Sequence, residues 1–288
     1  MAFKIGVMID SFRKSTDEGL VLAKSVGAEG FQVYVVGGDM APEALDAAGR
    51  KRFRSRCAEL KLDVAALCGD LGGHGFERAD ENTAKVARSK KIVDLAVDLG
   101  SSVVTTHIGV IPDDPASTTY KAMQDACREL GRYAAAKGVT FAIETGPETA
   151  LLLRAFLDSL GVKGIGVNLD PANLVMVTGD DPVKAVHTLA PYIVHTHAKD
   201  GRQLQPCDRR EVYGSFADGG FDKLVERMGK LFEETPLGEG AVDWPRYLAA
   251  LSKIGYKGFL TIEREVGANP EADIRKAVTF LKGMKEGA

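Results

Sequence analysis

The chain has 288 residues, 45% of them hydrophobic and 27% charged, with a formal net charge of −3. A chain of this length buries about 75% of its unfolded surface on folding, so it needs neither disulfides nor a partner to form a core. The charge balance excludes a global positive field that would gather nucleic acid or anionic membrane, and no run approaches the ~20 apolar residues of a membrane helix. A soluble cytoplasmic protein is expected.

The first run, MAFKIGVMIDSFRK, has Asp10 close behind its apolar residues and no small-residue cleavage site. It reads as a strand, Lys4–Ile9, and not as a secretory signal. The amphipathic stretch Glu18–Val26 precedes a second strand, Gly30–Val35. The basic run Lys51-Arg52-Phe53-Arg54-Ser55-Arg56 has the spacing of a solvated helix face rather than of a nucleic-acid site. Strand Asp63–Leu67 is followed by the helical stretch Thr83–Leu99, and strand Ser102–Thr106 by Thr119–Lys137. Strands Val139–Glu144, Gly164–Leu169 and Ile193–His197 come next, and the helical stretch Trp244–Ile254 leads into the last strand, Gly258–Glu263. Gly27, Gly100, Gly138, Gly161 and Gly255 stand at helix-to-strand junctions, where a left-handed cap is expected. Cys57, Cys68, Cys127 and Cys207 form no CxxC pair and read as reduced thiols.

Eight strand–helix units in one chain of this length predict a single (β/α)8 barrel over residues 1–288. The competing open doubly wound sheet loses its main support because no GxGxxG follows the first strand and no GxxxxGK[ST] occurs anywhere. One connection breaks the rhythm: 66 residues separate His197 from Glu263, against 27 from Asp170 to His197. The excess, residues 199–243, holds a helical patch at Phe221–Phe232 and is expected to be an insertion after the seventh strand that covers the catalytic face as a lid.

Four late strands end in residues able to hold a divalent metal. The fifth ends FAIE at Glu144, the sixth GVNLD at Asp170, the seventh VHTH at His197 and the eighth FLTIE at Glu263. In a closed barrel these ends converge on one mouth. A carboxylate at the end of a buried strand is costly to desolvate unless it is paired, hydrogen-bonded or metal-bound, and a divalent cation relieves the repulsion among three of them. Carboxylate and imidazole together suit Mn²⁺, Co²⁺, Zn²⁺ or Mg²⁺ without choosing among them. His195 stands two residues before His197, so both side chains share one strand face and only packing decides which binds metal.

The segments FAIETGPE, VNLDPANL, VHTHAKDGR, LGEGAVDWPRYL and GYKGFLTIERE resemble the xylose-isomerase-like barrel superfamily. That group includes sugar phosphate isomerases and epimerases, ketose 3-epimerases, hydroxypyruvate isomerases, inosose dehydratases and zinc-dependent abasic-site endonucleases. The resemblance covers nearly the whole chain and favours His197 as the ligand. It implies one divalent metal, a small sugar or sugar-derivative substrate, and Glu144 and Glu263 as acid and base on opposite faces of the sugar. Removing a proton next to a carbonyl gives an enediolate, whose charge a metal stabilises as it develops. One carboxylate takes the proton and a second acid returns it. The family often forms dimers or tetramers.

Around the quartet, Asn173 stands where the epimerases commonly place a substrate-binding histidine, a departure that bears on sugar specificity. Lys199 and Arg202 can grip a hydroxyl, carboxylate or phosphate. His107 and His74 either line the pocket, join a second metal or serve as ordinary loop or core residues. Glu239 is expected to order the loop before the Trp244–Ile254 helix, with Asp243 as N-cap, and His187 to lie on the surface. An inosose-type dehydratase is the close alternative. An abasic-site nuclease is disfavoured by the acidic charge and by the lack of any histidine after His197.

Overall fold

The computed structural model describes residues 3–286. Eight parallel strands close into a barrel: β1 (Lys4–Met8), β2 (Gly30–Tyr34), β3 (Asp63–Cys68), β4 (Val103–Thr106), β5 (Thr140–Glu144), β6 (Ile165–Leu169), β7 (Ile193–Ala198) and β10 (Phe259–Ile262), with β10 closing between β7 and β1. The helices outside are α1 (Thr16–Val26), α2 (Ala47–Leu60), α3 (Ala79–Leu99), α4 (Thr118–Ala136), α5 (Ala150–Leu160), α6 (Pro171–Asn173), α7 (Pro182–Leu189), α10 (Trp244–Lys253) and α11 (Pro270–Glu286). All eight expected strands are present, and the five junction glycines adopt positive φ between 61° and 87°. Their sites suit glycine because a Cβ resists that conformation.

The main core lies between barrel and helices, built from residues such as Phe31, Phe141, Phe156, Leu95, Trp244 and Tyr247. The barrel interior is partly polar. Gln32 on β2, Thr105 on β4, His195 on β7 and Thr261 on β10 are all buried and hydrogen-bonded to one another. Polar groups inside a dry barrel persist only when satisfied, and this layer forms the floor of the site above it.

Residues 199–243 are not a simple loop. They fold into β8 (Asp200–Gln203), α8 (Arg209–Ala217), α9 (Phe221–Met228) and β9 (Phe232–Thr235), with β8 and β9 pairing antiparallel. Val212, Leu224 and Leu231 pack with Ala172, Met176 and Val177 into a small separate apolar cluster. The helix expected over Phe221–Phe232 stops at Met228, because Gly229 turns the chain at φ 78° and the next residues pair as β9.

Asp200 anchors this segment. Its carboxylate accepts from the backbone of Gly201, Gly238 and Val242 and from Trp244 Nε1, at 2.9–3.2 Å. The fit is tight enough that a Cβ at Gly240 would overlap Asp200 Oδ1. Asp243 caps α10 by accepting from Arg246 N at 3.2 Å.

Candidate metal centre

Glu144 ends β5, Asp170 and Glu263 directly follow β6 and β10, and His197 lies near the end of β7. Each side chain contributes an atom to a group in which all four atoms lie within 4.8 Å of one another. All four residues are buried. His197 Nδ1 is 3.5 Å from Glu144 Oε1 and 3.3 Å from both Asp170 Oδ2 and Glu263 Oε2. Three oxygens and one imidazole nitrogen converging in a desolvated mouth form a donor set that fits one divalent cation.

The groups behind the quartet fix its orientation. Gln32 Oε1 faces His197 Nε2 at 3.1 Å. The imidazole thus turns Nδ1 toward the three carboxylates and Nε2 toward the barrel floor. Asn168 Nδ2 donates to Glu144 Oε2 at 3.0 Å and stands 3.1 Å from the same imidazole nitrogen. Gln32 and Asn168 both sit at register shifts, between Phe31 and Gln32 on β2 and between Val167 and Asn168 on β6. Such irregularities re-aim side chains. Asp170 is held by its own backbone, since Thr145 Oγ1 accepts from Asp170 N and donates to Asp170 O.

Lys199 Nζ donates to Glu263 Oε2 at 3.0 Å, pairs with Glu265 and lies 3.9 Å from Glu234 Oε2. Burial opposes its charge, but these carboxylates hold the ammonium well above its ordinary value. Burial likewise works to raise the Glu263 carboxyl, yet Lys199 and His197 hold it well below the usual carboxylate range.

A cavity of about 700 Å³ opens above the quartet, with Glu144, Glu263, Lys199, Asn173, His107 and Asp70 at its inner end. Asn173 Nδ2 donates to Glu144 Oε1 at 3.3 Å. His107 Nδ1 is 3.3 Å from Asp70 Oδ2, and its Nε2, 3.8 Å from Glu144 Oε1, has no hydrogen-bond partner among the described residues. Burial works against the charge on His107, but Glu144 and Asp70 push the imidazole up to about 10.

The remaining sequence candidates lie elsewhere. His195 sits beneath the quartet, its Nε2 between Gln32 Oε1 at 3.1 Å and Thr261 Oγ1 at 2.9 Å, where it has no route to the cavity lining. His74 faces Asp218 at 2.9 Å and Glu77 at 3.6 Å and is not among the residues lining the cavity. Arg202 turns outward on β8 to Glu233 and the Glu239 carbonyl, because its neighbour Gly201 is the position that packs inward on Met176. His187 is exposed on α7. Sequence reasoning missed Gln32 and Asn168. Their signal was a lone amide inside the apolar strands GFQVY and IGVNL.

Comparison with known proteins agrees with this architecture. The sequence profile described as the xylose isomerase-like TIM barrel matches residues 20–284. The rhizopine catabolism protein MocC of Rhizobium meliloti is 36% identical over 127 residues, which is 44% of this chain and 34% of that protein. Inosose dehydratase of Lacticaseibacillus casei is 26% identical over 140 residues, 48% of this chain and 44% of that one. The matched part thus spans less than half the length of either relative. The crystal structure of a xylose isomerase domain protein from Planctomyces limnophilus superimposes with a TM-score of 0.79 at 25% identity, covering 99% of this chain and 98% of that one.

Proposed function

The chain belongs to the xylose isomerase-like TIM barrel family, and on that premise we propose that it is a divalent-metal-dependent isomerase or epimerase of a small sugar or sugar derivative. The observation that carries this reading is the placement of two buried glutamates, Glu144 and Glu263, on strands β5 and β10, which flank the β6–β7 pair bearing Asp170 and His197. A substrate entering from the cavity meets a carboxylate on each side.

Glu144, Asp170, His197 and Glu263 would hold the cation. When bound, it supplies electrostatic stabilisation of the negative charge that develops as a proton leaves a carbon next to a carbonyl. The chain's own groups do the rest. One glutamate, ionised, takes the proton; the other, which enters the step carrying a proton, delivers it to the opposite face for epimerisation or to the adjacent carbon for isomerisation, and exchange with solvent resets both. Lys199, bonded to Glu263, holds that carboxylate ionised and aimed. Asn173 orients Glu144, and His107, paired with Asp70, lines the cavity beside Glu144. Residues 199–243 act as the lid: Tyr213 and Phe216 of α8 and Phe221 of α9 wall the cavity and exclude water.

The similarity to an inosose dehydratase supports a second reading. There, proton removal next to the ketone is followed by loss of hydroxide from the neighbouring carbon. Incubation of the metal-loaded protein with a panel of ketoses and inososes in D₂O, read by NMR, tests both. Deuterium at a carbon next to the carbonyl with retention of all hydroxyls supports the epimerase. Deuterium exchange with loss of water supports the dehydratase. Exchange that persists in Glu144→Gln and Glu263→Gln, or no exchange in any substrate, refutes the proton-transfer assignment.

A further inference from the structure

We infer that the substrate carries an aryl group outside its sugar-like part, and that this group rests on an aromatic wall contributed by residues 213–232. This inference rests on the sugar reading above and adds a second subsite to it.

The cavity has two chemically different ends. The inner end presents carboxylates, an ammonium, an amide and an imidazole. From His107 outward, one wall is a continuous run of rings. His107 and Tyr213 have centroids 5.9 Å apart, Tyr213 and Phe216 6.1 Å, Phe216 and Phe221 4.2 Å in a stacked pair, and Phe221 and Phe232 5.7 Å. Met176, Val177, Val225 and Leu231 complete that side. The other charged groups of the lining already have partners: Lys230 with Glu233, Glu234 with Arg264 behind the wall, and Glu265 with Lys199 of the inner end. They leave apolar surface as the free lining.

A monosaccharide carries hydroxyls around its whole rim, and each one buried without a partner is costly. Held by its hydroxyls at the inner end, such a molecule leaves the outer rings, Phe216, Phe221 and Phe232, uncovered. About 700 Å³ lies well within the ~300–1,000 Å³ range of sites that bury drug-sized ligands, so there is room for a second ring. The wall is also left incomplete by the protein itself. Phe216 is 48% exposed and Val266 47% although both line the cavity. Stacked and tilted rings suit a flat aromatic partner.

The test uses calorimetry on the Mn²⁺-loaded protein with methyl β-D-glucopyranoside and phenyl β-D-glucopyranoside, beside the deuterium-exchange assay on free ketoses. The phenyl glycoside is expected to bind at least about tenfold tighter than the methyl one. That ratio should fall below about threefold in Phe216→Ala, whose side chain is too exposed to be needed for folding, and also in Phe221→Ala. Circular dichroism and the variants' affinity for the methyl glycoside report on the integrity of the site. Exchange into a free ketose without any phenyl advantage, or an advantage that survives both variants, overturns the aryl subsite and leaves the sugar reading standing. A phenyl advantage that depends on Phe216, with no exchange in any sugar, upholds the subsite and removes the sugar reading. No exchange and no binding of either glycoside overturns both.

Discussion

Gln32 Oε1 lies 3.1 Å from His197 Nε2 and also 3.1 Å from His195 Nε2, so one amide on β2 joins both histidines of β7 across the barrel. Its own nitrogen donates to Thr105 Oγ1 at 2.9 Å, which fixes the direction of the oxygen. The amide therefore holds both imidazoles from beneath, without lining the cavity.

Loss of that contact should weaken the metal site while the four ligands stay in place. Groups that orient a ligating histidine typically contribute ~10–100-fold in affinity. Gln32→Leu is expected to lower the affinity for Mn²⁺ or Co²⁺ by that order in calorimetric titrations, and Gln32→Glu, which keeps an acceptor, by less. Equal affinities in all three proteins would show that Gln32 merely fills the barrel.

The quartet predicts about one divalent ion per chain in the purified protein, measured by elemental analysis. Glu144→Ala and Glu263→Ala should each reduce that content severely, since each removes one of four donors. Full occupancy in both variants would move the metal elsewhere.

Asp200 predicts a stability effect separable from chemistry. Its carboxylate satisfies four donors in a buried turn, and Asp200→Ala leaves them without a partner. A loss of roughly 3 kcal/mol or more is expected in urea unfolding. A loss under about 1 kcal/mol would mean that water or a relaxed turn replaces the carboxylate.

Glu148 predicts a pH dependence of stability. The side chain is buried, with Oε1 accepting from Ile111 N at 2.9 Å. Desolvation raises its carboxyl from 4.5 to about 7, against the opposing effects of that N–H and of Arg209. The folded state thus retains a proton that the unfolded chain has released. This group's contribution is complete below about pH 4.5 and is lost as pH rises to about 7, on the order of 3 kcal/mol in all. Glu148→Gln keeps the acceptor and cannot ionise, so its Tm should fall less between pH 5 and pH 8 than the wild type's. Parallel Tm curves for the two proteins would contradict this assignment.

The sequence by itself determined the eight strands and the four residues at their ends. Both are local properties: a strand is written in its apolar run, and FAIE, GVNLD, VHTH and FLTIE each carry a polar residue where such a run stops. Only closure of the barrel decided what surrounds them. His195 and His197 share a strand face, and their different fates follow from Gln32, more than 160 residues away, and from Asp170, Glu144 and Glu263. The shifts that aim Gln32 and Asn168 are register events between neighbouring strands, which no single segment encodes. Likewise neither Arg202 nor His74 lines the cavity: the pairing of β8 with β9 turns Arg202 outward, and His74 is engaged with Asp218. The aromatic wall formed because α8 and α9 folded over the mouth, bringing Phe216 and Phe221 within stacking distance. Ligand type is written residue by residue. Orientation depends on partners distant in the chain, and those are chosen by topology and packing.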